Sequence, residues 1–207
     1  MTSSSRDITE FTKNYLSRLN SCFNDNCIGK INRLTEDLLS CWIEKRQVFI
    51  CGNGGSAANA LHMANDFHYG IGACGMGQKI SGLRVEALSG NSAIMSCLAN
   101  DTGYENIYSN QIETKANKND LLIVLSGSGN SPNVVNALLS AEKLGVKSYA
   151  IVAFSGGRCK EIANETIHFQ INDMQIAEDT QLIVGHICMQ ILSSKKQLVS
   201  ELSLIHI

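Results

Sequence analysis

The chain reads as an α/β domain, a three-layer α/β/α sandwich with a mostly parallel sheet, preceded by two N-terminal helices. Three observations predict it. Apolar runs of strand length, QVFIC (47–51), LRVEAL (83–88), DLLIVL (120–125), SYAIVAF (148–154) and TIHFQI (166–171), alternate with helix-periodic segments. Two small-residue loops, GNGGS and SGSGNS, each follow a strand and precede a helix. The first 45 residues instead carry apolar side chains at three- and four-residue spacing. Strands joined through helices run parallel, with helices on both faces, and such sheets take ligands at the carboxyl ends of their strands.

The elements follow in order. ITEFTKNYLSRLNSCF sets Ile8, Phe11, Tyr15, Leu19 and Phe23 along one helical stripe, and a second helix over 28–45 turns Ile31, Leu34, Leu38, Leu39 and Trp42 inward. Helices in this position commonly pack against another subunit. QVFIC breaks at GNGGS, and a helix follows through ANALHMANDFH. The glycine-rich segment 70–82 reads as a mobile loop near the ligand edge. LRVEAL leads into helical NSAIMSCLA and ENIYSNQIE. After DLLIVL, a helix spans 132–144, from Pro132 at its first position to Gly145 at its end. SYAIVAF and TIHFQI close the sheet, and a final helix runs over 176–196. No repeat, long linker or second domain is evident, so 1–207 reads as one domain, with helices over 1–45 and an α/β core over 46–207.

Composition narrows the function. A net charge of −2 gives no basic stripe, and 6% aromatic residues supply few stacking surfaces, so no direct nucleic-acid binding is expected. The eight cysteines form no CxxC pair, and the polar start MTSSSRDITE is no secretory leader. Cys51, Cys97 and Cys188 lie in apolar runs and are expected to be small buried hydrophobes in a reducing cytoplasm. No apolar run approaches membrane-spanning length, so no membrane partner is expected. Neither small-residue loop has the GxGxxG spacing or carries GK[ST], which argues against a nucleotide cofactor and for a small phosphorylated metabolite.

SGSGNS delivers the hydroxyls of Ser126, Ser128 and Ser131, with flexible backbone at Gly127 and Gly129, to the start of a helix. Free N–H groups and the positive end of the helix dipole make that an anion site, and the expected anion is phosphate. The other reading is an ordinary strand-to-helix turn. Ser131 stands at the capping position, and in the first loop Ser56 can cap the next helix after Asn53, Gly54 and Gly55. His62 and Asp66, four residues apart, share a helix face; Glu178 and His186 belong to the final helix, with Asp179 and Gln181 nearby. Blander readings stand beside these: a core histidine for His62, a surface carboxylate for Asp66, a structural histidine for His186 within LIVGHICM. His168 and His206 are assigned no role.

CGNGGSAANALHMANDF (51–67), CLANDTGYENIYS (97–109), LSGSGNSPNVVNAL (125–138) and EDTQLIVGH (178–186) together resemble the sugar isomerase (SIS) domain, in its phosphoheptose isomerase branch. The resemblance implies the SIS fold, a homotetramer with active sites at subunit boundaries, and a phosphorylated sugar held by Ser126, Gly127, Ser128 and Ser131. It brings Asn53, Gly54, Gly55, Ser56, Asn100 and Asp101 to the sugar. It also implies a metal or catalytic set of His62, Asp66, Glu178 and His186, which can make a tetrahedral zinc site, with Asp66 and His186 as proton carriers. The implied reaction converts sedoheptulose 7-phosphate to a heptose 7-phosphate through an enediol. The chain departs from the family pattern at several points. Asp66 replaces glutamate, Glu178 aligns with glutamine, Gln181 falls at a histidine, and FHYGIG after Asp66 lacks the expected arginine. Such changes leave open an isomerase for another sugar phosphate, or a non-catalytic binding, regulatory or adaptor protein.

Overall fold

The computed structural model describes residues 3–75 and 77–203, and His206 lies outside them. Two helices, α1 (Ser3–Ser21) and α2 (Asp25–Ile43), precede β1 (Gln47–Gly52). Then come α3 (Gly55–Asn65), a π-helical turn (Asp66–Gly70), α4 (Ile71–Ala73), β2 (Arg84–Ala87), α5 (Ser92–Thr102) and α6 (Ser109–Lys115). The chain continues with β3 (Leu121–Ser126), α7 (Pro132–Leu144), β4 (Lys147–Val152), α8 (Gly157–Ile162), β5 (Glu165–His168), α9 (Met174–Ser194) and α10 (Lys196–Ser203). The strands form one sheet in the order β2-β1-β3-β4-β5. Each neighbouring pair is parallel, so the sheet is parallel throughout rather than mostly so.

Strand residues alternate between two cores, which explains why the strands read as unbroken apolar runs. Val48, Ile50, Ile123 and Ile151 face a layer that includes Leu34, Leu38, Met63, Val184 and Cys188 of α2, α3 and α9. Phe49, Cys51, Val124 and Val152 face Ile112, Val135, Leu138 and Cys159 on the other side. Ile31, Leu34, Leu38 and Trp42 are buried as the spacing predicts. Lys30 and Arg33 of α2 both engage Glu165, covering the edge strand β5 with charge. The hydrogen bond from Lys30 comes first among the interactions that hold the Glu165 carboxyl below its ordinary range.

Three expectations are corrected. The stripe on α1 is only partly covered. Phe23, just beyond α1, packs edge-on to Phe169 at 5.2 Å, whereas Ile8 and Phe11 remain 66% and 71% exposed. Cys97 is exposed on α5, a helix with no fully buried residue, while Cys51 and Cys188 are buried. Finally, the segment 70–82 is tied by its two ends at the amino edge of the sheet rather than the ligand edge, with Cys74, Gly75 and 77–79 exposed. The crossover α3 carries the chain away from the β1 terminus, and the segment must return to the start of β2. Trp42 Nε1 donates to Ser81 O at 2.9 Å and Ile80 N donates to Gly72 O at 3.2 Å, while Leu83 N donates to Phe67 O at 2.9 Å. Among the described residues no helix is long and apolar enough to cross a membrane.

A Cβ on Gly72 would stand 2.1 Å from Ile80 O, whereas one on Gly29, exposed within α2, would meet nothing within 4 Å. Gly72→Ala is therefore expected to lower unfolding stability by about 1–3 kcal/mol, and Gly29→Ala to raise it by about 0.5–1 kcal/mol. Urea denaturation of both variants checks the pair; equal effects would contradict the packing of the segment.

Candidate active site

Both small-residue loops lie at the carboxyl edge, one strand apart. In the loop after β3, Ser126 Oγ accepts the Gly129 N–H at 3.1 Å and Ser128 Oγ accepts the Asn130 N–H at 3.3 Å. The hydroxyls thus shape the turn as acceptors and keep their own protons to donate. Gly129 has φ +67°, and a Cβ there would lie 2.0 Å from Gly156 O. Ser131 is the N-cap of α7, yet its side chain makes no capping bond. Its carbonyl accepts from Val134 and Val135, and its hydroxyl makes no hydrogen bond among the described residues. In the loop after β1, the cap is Gly54 at φ 54°, not Ser56, which sits within the first turn of α3 and is 5% exposed.

The start of α9 closes this site. Asp173 Oδ1 caps α9 by accepting from Gln175 and Ile176 at 3.1 and 3.2 Å. Arg18 of α1 binds Asp173 Oδ2 at 2.8 Å. The Ile176 N–H comes first among the interactions that lower the Asp173 pKa, with the Arg18 guanidinium also contributing. Tyr15 donates to Asp179 at 2.5 Å, and that bond, with burial second, pushes the phenol up to about 12. So anchored, α9 turns Met174 and Glu178 over the loops. The Glu178 carboxylate presses on the first turn of α3, with its oxygens 2.3–2.4 Å from where a Gly55 Cβ would be.

A cavity of about 280 Å³ results. Asn53, Gly54, Gly55 and Ser56 line one side, and Ser126, Gly127, Ser128 and Ser131 the other. Met174 and Glu178 form its roof. Asn100 and Asp101 are not brought to it. They are exposed at the end of α5, where Asn100 Nδ2 donates to Asp101 Oδ1 at 2.7 Å.

Farther along α3 and α9, His62, Asp66 and His186 converge, with ligand-type atoms all within 4.8 Å of one another. The two Nε2 atoms are 3.0 Å apart, and Asp66 Oδ2 lies 3.4 Å from His62 and 3.8 Å from His186. Asp66 opens the π-helical turn, which is closed by the Ile71 N–H on Asp66 O. Glu178, expected with this set, is absent from it because it stands eight residues before His186, about 12 Å along a helix. Between the two regions, Asn59 Nδ2 donates to Gln181 Oε1 at 3.3 Å, and Gln181 Nε2, buried, has no partner among the described residues.

Sequence reasoning missed the residues that join the loops. Asn133, directly after Pro132, exchanges two hydrogen bonds with Asn53, and Tyr104 donates to Asn53 Oδ1 at 3.2 Å. The available signal was an amide in the first turn of a helix bordering the serine loop, together with a tyrosine inside CLANDTGYENIYS.

This arrangement of a parallel sheet and paired small-residue loops is a known one. Residues 10–153 match the SIS domain, and the chain belongs to that family. Phosphoheptose isomerases are among its curated relatives. That of Sulfurimonas denitrificans is 30% identical over 173 residues, covering 83% of this chain and 86% of the relative. That of Helicobacter pylori is 35% identical over 141 residues, covering 68% and 71%. The solved phosphoheptose isomerase of Francisella tularensis shares the fold with a TM-score of 0.84 at 22% identity, covering 94% of this chain and all of that one.

Because Ser131 makes no capping bond, Ser131→Ala should change stability by less than about 0.5 kcal/mol. Asp173→Ala, which removes two capping bonds, should cost about 1 kcal/mol or more. Thermal unfolding compares them, and a larger loss for Ser131→Ala would show a hidden capping role.

Proposed function

We propose that the chain interconverts sedoheptulose 7-phosphate and D-glycero-D-manno-heptose 7-phosphate through an enediol, as a homotetrameric cytoplasmic enzyme built from one SIS domain. The observation that carries this reading is that the same pair of helices, α3 and α9, holds a serine-lined cavity and, farther along, His62, Asp66 and His186. Seven residues from Gly55 to His62 span about 10 Å of helix, a spacing that favours a long sugar chain over a short one.

In this reading Ser126, Ser128 and Ser131 donate to the phosphate, with Gly127 allowing its close approach, and Asn53, Gly54, Gly55 and Ser56 flank the sugar. Glu178 roofs the same cavity and accepts a sugar hydroxyl there instead of serving the His/Asp cluster. Asn100 and Asp101, exposed in one chain, act across a subunit boundary. The uncovered side chains of Ile8, Phe11 and Leu16 on α1 support such an assembly. Eight free cysteines accord with a reducing compartment.

The reaction moves a proton from C1 to C2 while the carbonyl moves the other way. One of Asp66 and His186 takes the C1 proton as the other gives a proton to the carbonyl oxygen. The enediol then loses its O1 proton and gains one at C2. Zinc fits the cluster: bonds of about 2.0–2.1 Å to a tetrahedral ion space the donors about 3.3–3.4 Å apart, against 3.0, 3.4 and 3.8 Å here. His62, Asp66 and His186 would hold it, and the proton-carrying roles given to Asp66 and His186 belong to the cluster without the ion. When bound, the ion supplies polarisation of a sugar oxygen.

Turnover of sedoheptulose 7-phosphate, followed by mass-resolved chromatography with and without zinc, tests the proposal. His186→Ala is expected to lower kcat/KM by about 100-fold or more while phosphosugar binding persists, and His62→Ala to lower the zinc content found by metal analysis. Saturable binding by the native protein without turnover would overturn the isomerase reading in favour of a binding module.

A further inference from the structure

We infer that Asn133, a residue set back from the cavity, is a positioning residue that fixes the Asn53 amide as a hydrogen-bond donor to the ligand. Asn133 is 1% exposed in the first turn of α7. Its Oδ1 accepts the Val134 backbone N–H at 3.0 Å. The Val134 N–H is shared between Ser131 O at 3.1 Å and this oxygen, and because a backbone N–H can only donate, it favours the oxygen end of the Asn133 amide on the helix side. The Asn133 Nδ2 must then face Asn53, and it donates to Asn53 Oδ1 at 2.8 Å. Asn53 Nδ2 returns a bond to Asn133 Oδ1 at 2.9 Å. Tyr104 adds a second donor to Asn53 Oδ1, filling that oxygen with protein contacts.

The consequence lies at the cavity wall. Asn53 Oδ1 is occupied twice, whereas Asn53 Nδ2 has one protein partner among the described residues and a second hydrogen to offer. Asn53 lines the cavity. The ligand group beside it must therefore be an acceptor, a carbonyl, hydroxyl or phosphoryl oxygen. The same amide pair ties the sugar-side loop to the first turn of α7, so the ends of the ligand are held in register. Without Asn133 the Asn53 amide is free to turn its oxygen toward the ligand, which costs affinity at a group already desolvated.

The inference rests on the phosphosugar reading of the cavity and is tested separately from turnover. Calorimetric titration of sedoheptulose 7-phosphate into the native protein, Asn53→Ala, Asn133→Ala and the double variant forms a double-mutant cycle. Each single variant is expected to bind about tenfold more weakly, and the double variant no more than about threefold more weakly than Asn53→Ala alone. A merely structural Asn133 would give multiplicative losses, and that result, or unchanged affinity in Asn133→Ala, overturns the inference. Should Asn133→Ala fail to fold, Asn133→Asp replaces it in the cycle. It keeps the acceptor for Val134 and sets a carboxylate oxygen in place of the donor to Asn53, and wild-type affinity there would likewise overturn the inference. Binding and coupling without turnover would sink the isomerase reading alone, and a native protein that does not bind the sugar phosphate would sink both.

Discussion

The close approach of α3 and α9 is the constraint on which the rest of the site depends. The two helices run side by side from the carboxyl edge of the sheet, and glycines occupy their points of contact. A Cβ on Gly55 would overlap the Glu178 carboxylate, one on Gly185 would lie 2.6 Å from Met63 Cγ, and one on Gly70 would lie 3.0 Å from Met189 Cε. Were the helices parted by the width of one methyl group, His62 and His186 would lose their contact and the roof over the serine loop would lift. Cavity and cluster are thus set by one steric fact, expressed at two heights along the same pair of helices.

The fold was readable because its signals are local. Apolar runs of strand length, Pro132 at a helix start and Gly145 at its end each act within a few residues. Where the reading failed, the deciding contact lay elsewhere in the chain. The glycines of 70–82 signal a mobile loop, but Gly72 and Gly82 serve close backbone packing at the amino edge, where Trp42 also bonds Ser81. Cys97 lies in a run as apolar as that of Cys51, yet among the described residues α5 has no buried side chain and Cys97 stays exposed. Ser131 and Ser56 are good capping residues by type. The carbonyl of Ser131 and the positive-φ backbone of Gly54 set those helix starts without either hydroxyl.

The candidate site divides along the same line. His62 and Asp66 were paired by helix spacing alone, and the structure gathers His186 to them. Glu178 could not be placed from sequence, because eight residues of helix separate it from His186 whatever the family alignment implies. Asn133 escaped notice because its role is relational. An asparagine after a proline is unremarkable until its partner is known to be Asn53.

The helix starts at the carboxyl edge differ in what occupies them. The start of α9 is satisfied by Asp173 and Arg18, that of α3 is shadowed by Glu178, and that of α7 is left open beside Ser131. This asymmetry gives the cavity a polarity. An anionic group is favoured at the wall where α7 starts and disfavoured at the wall that holds the Glu178 carboxylate.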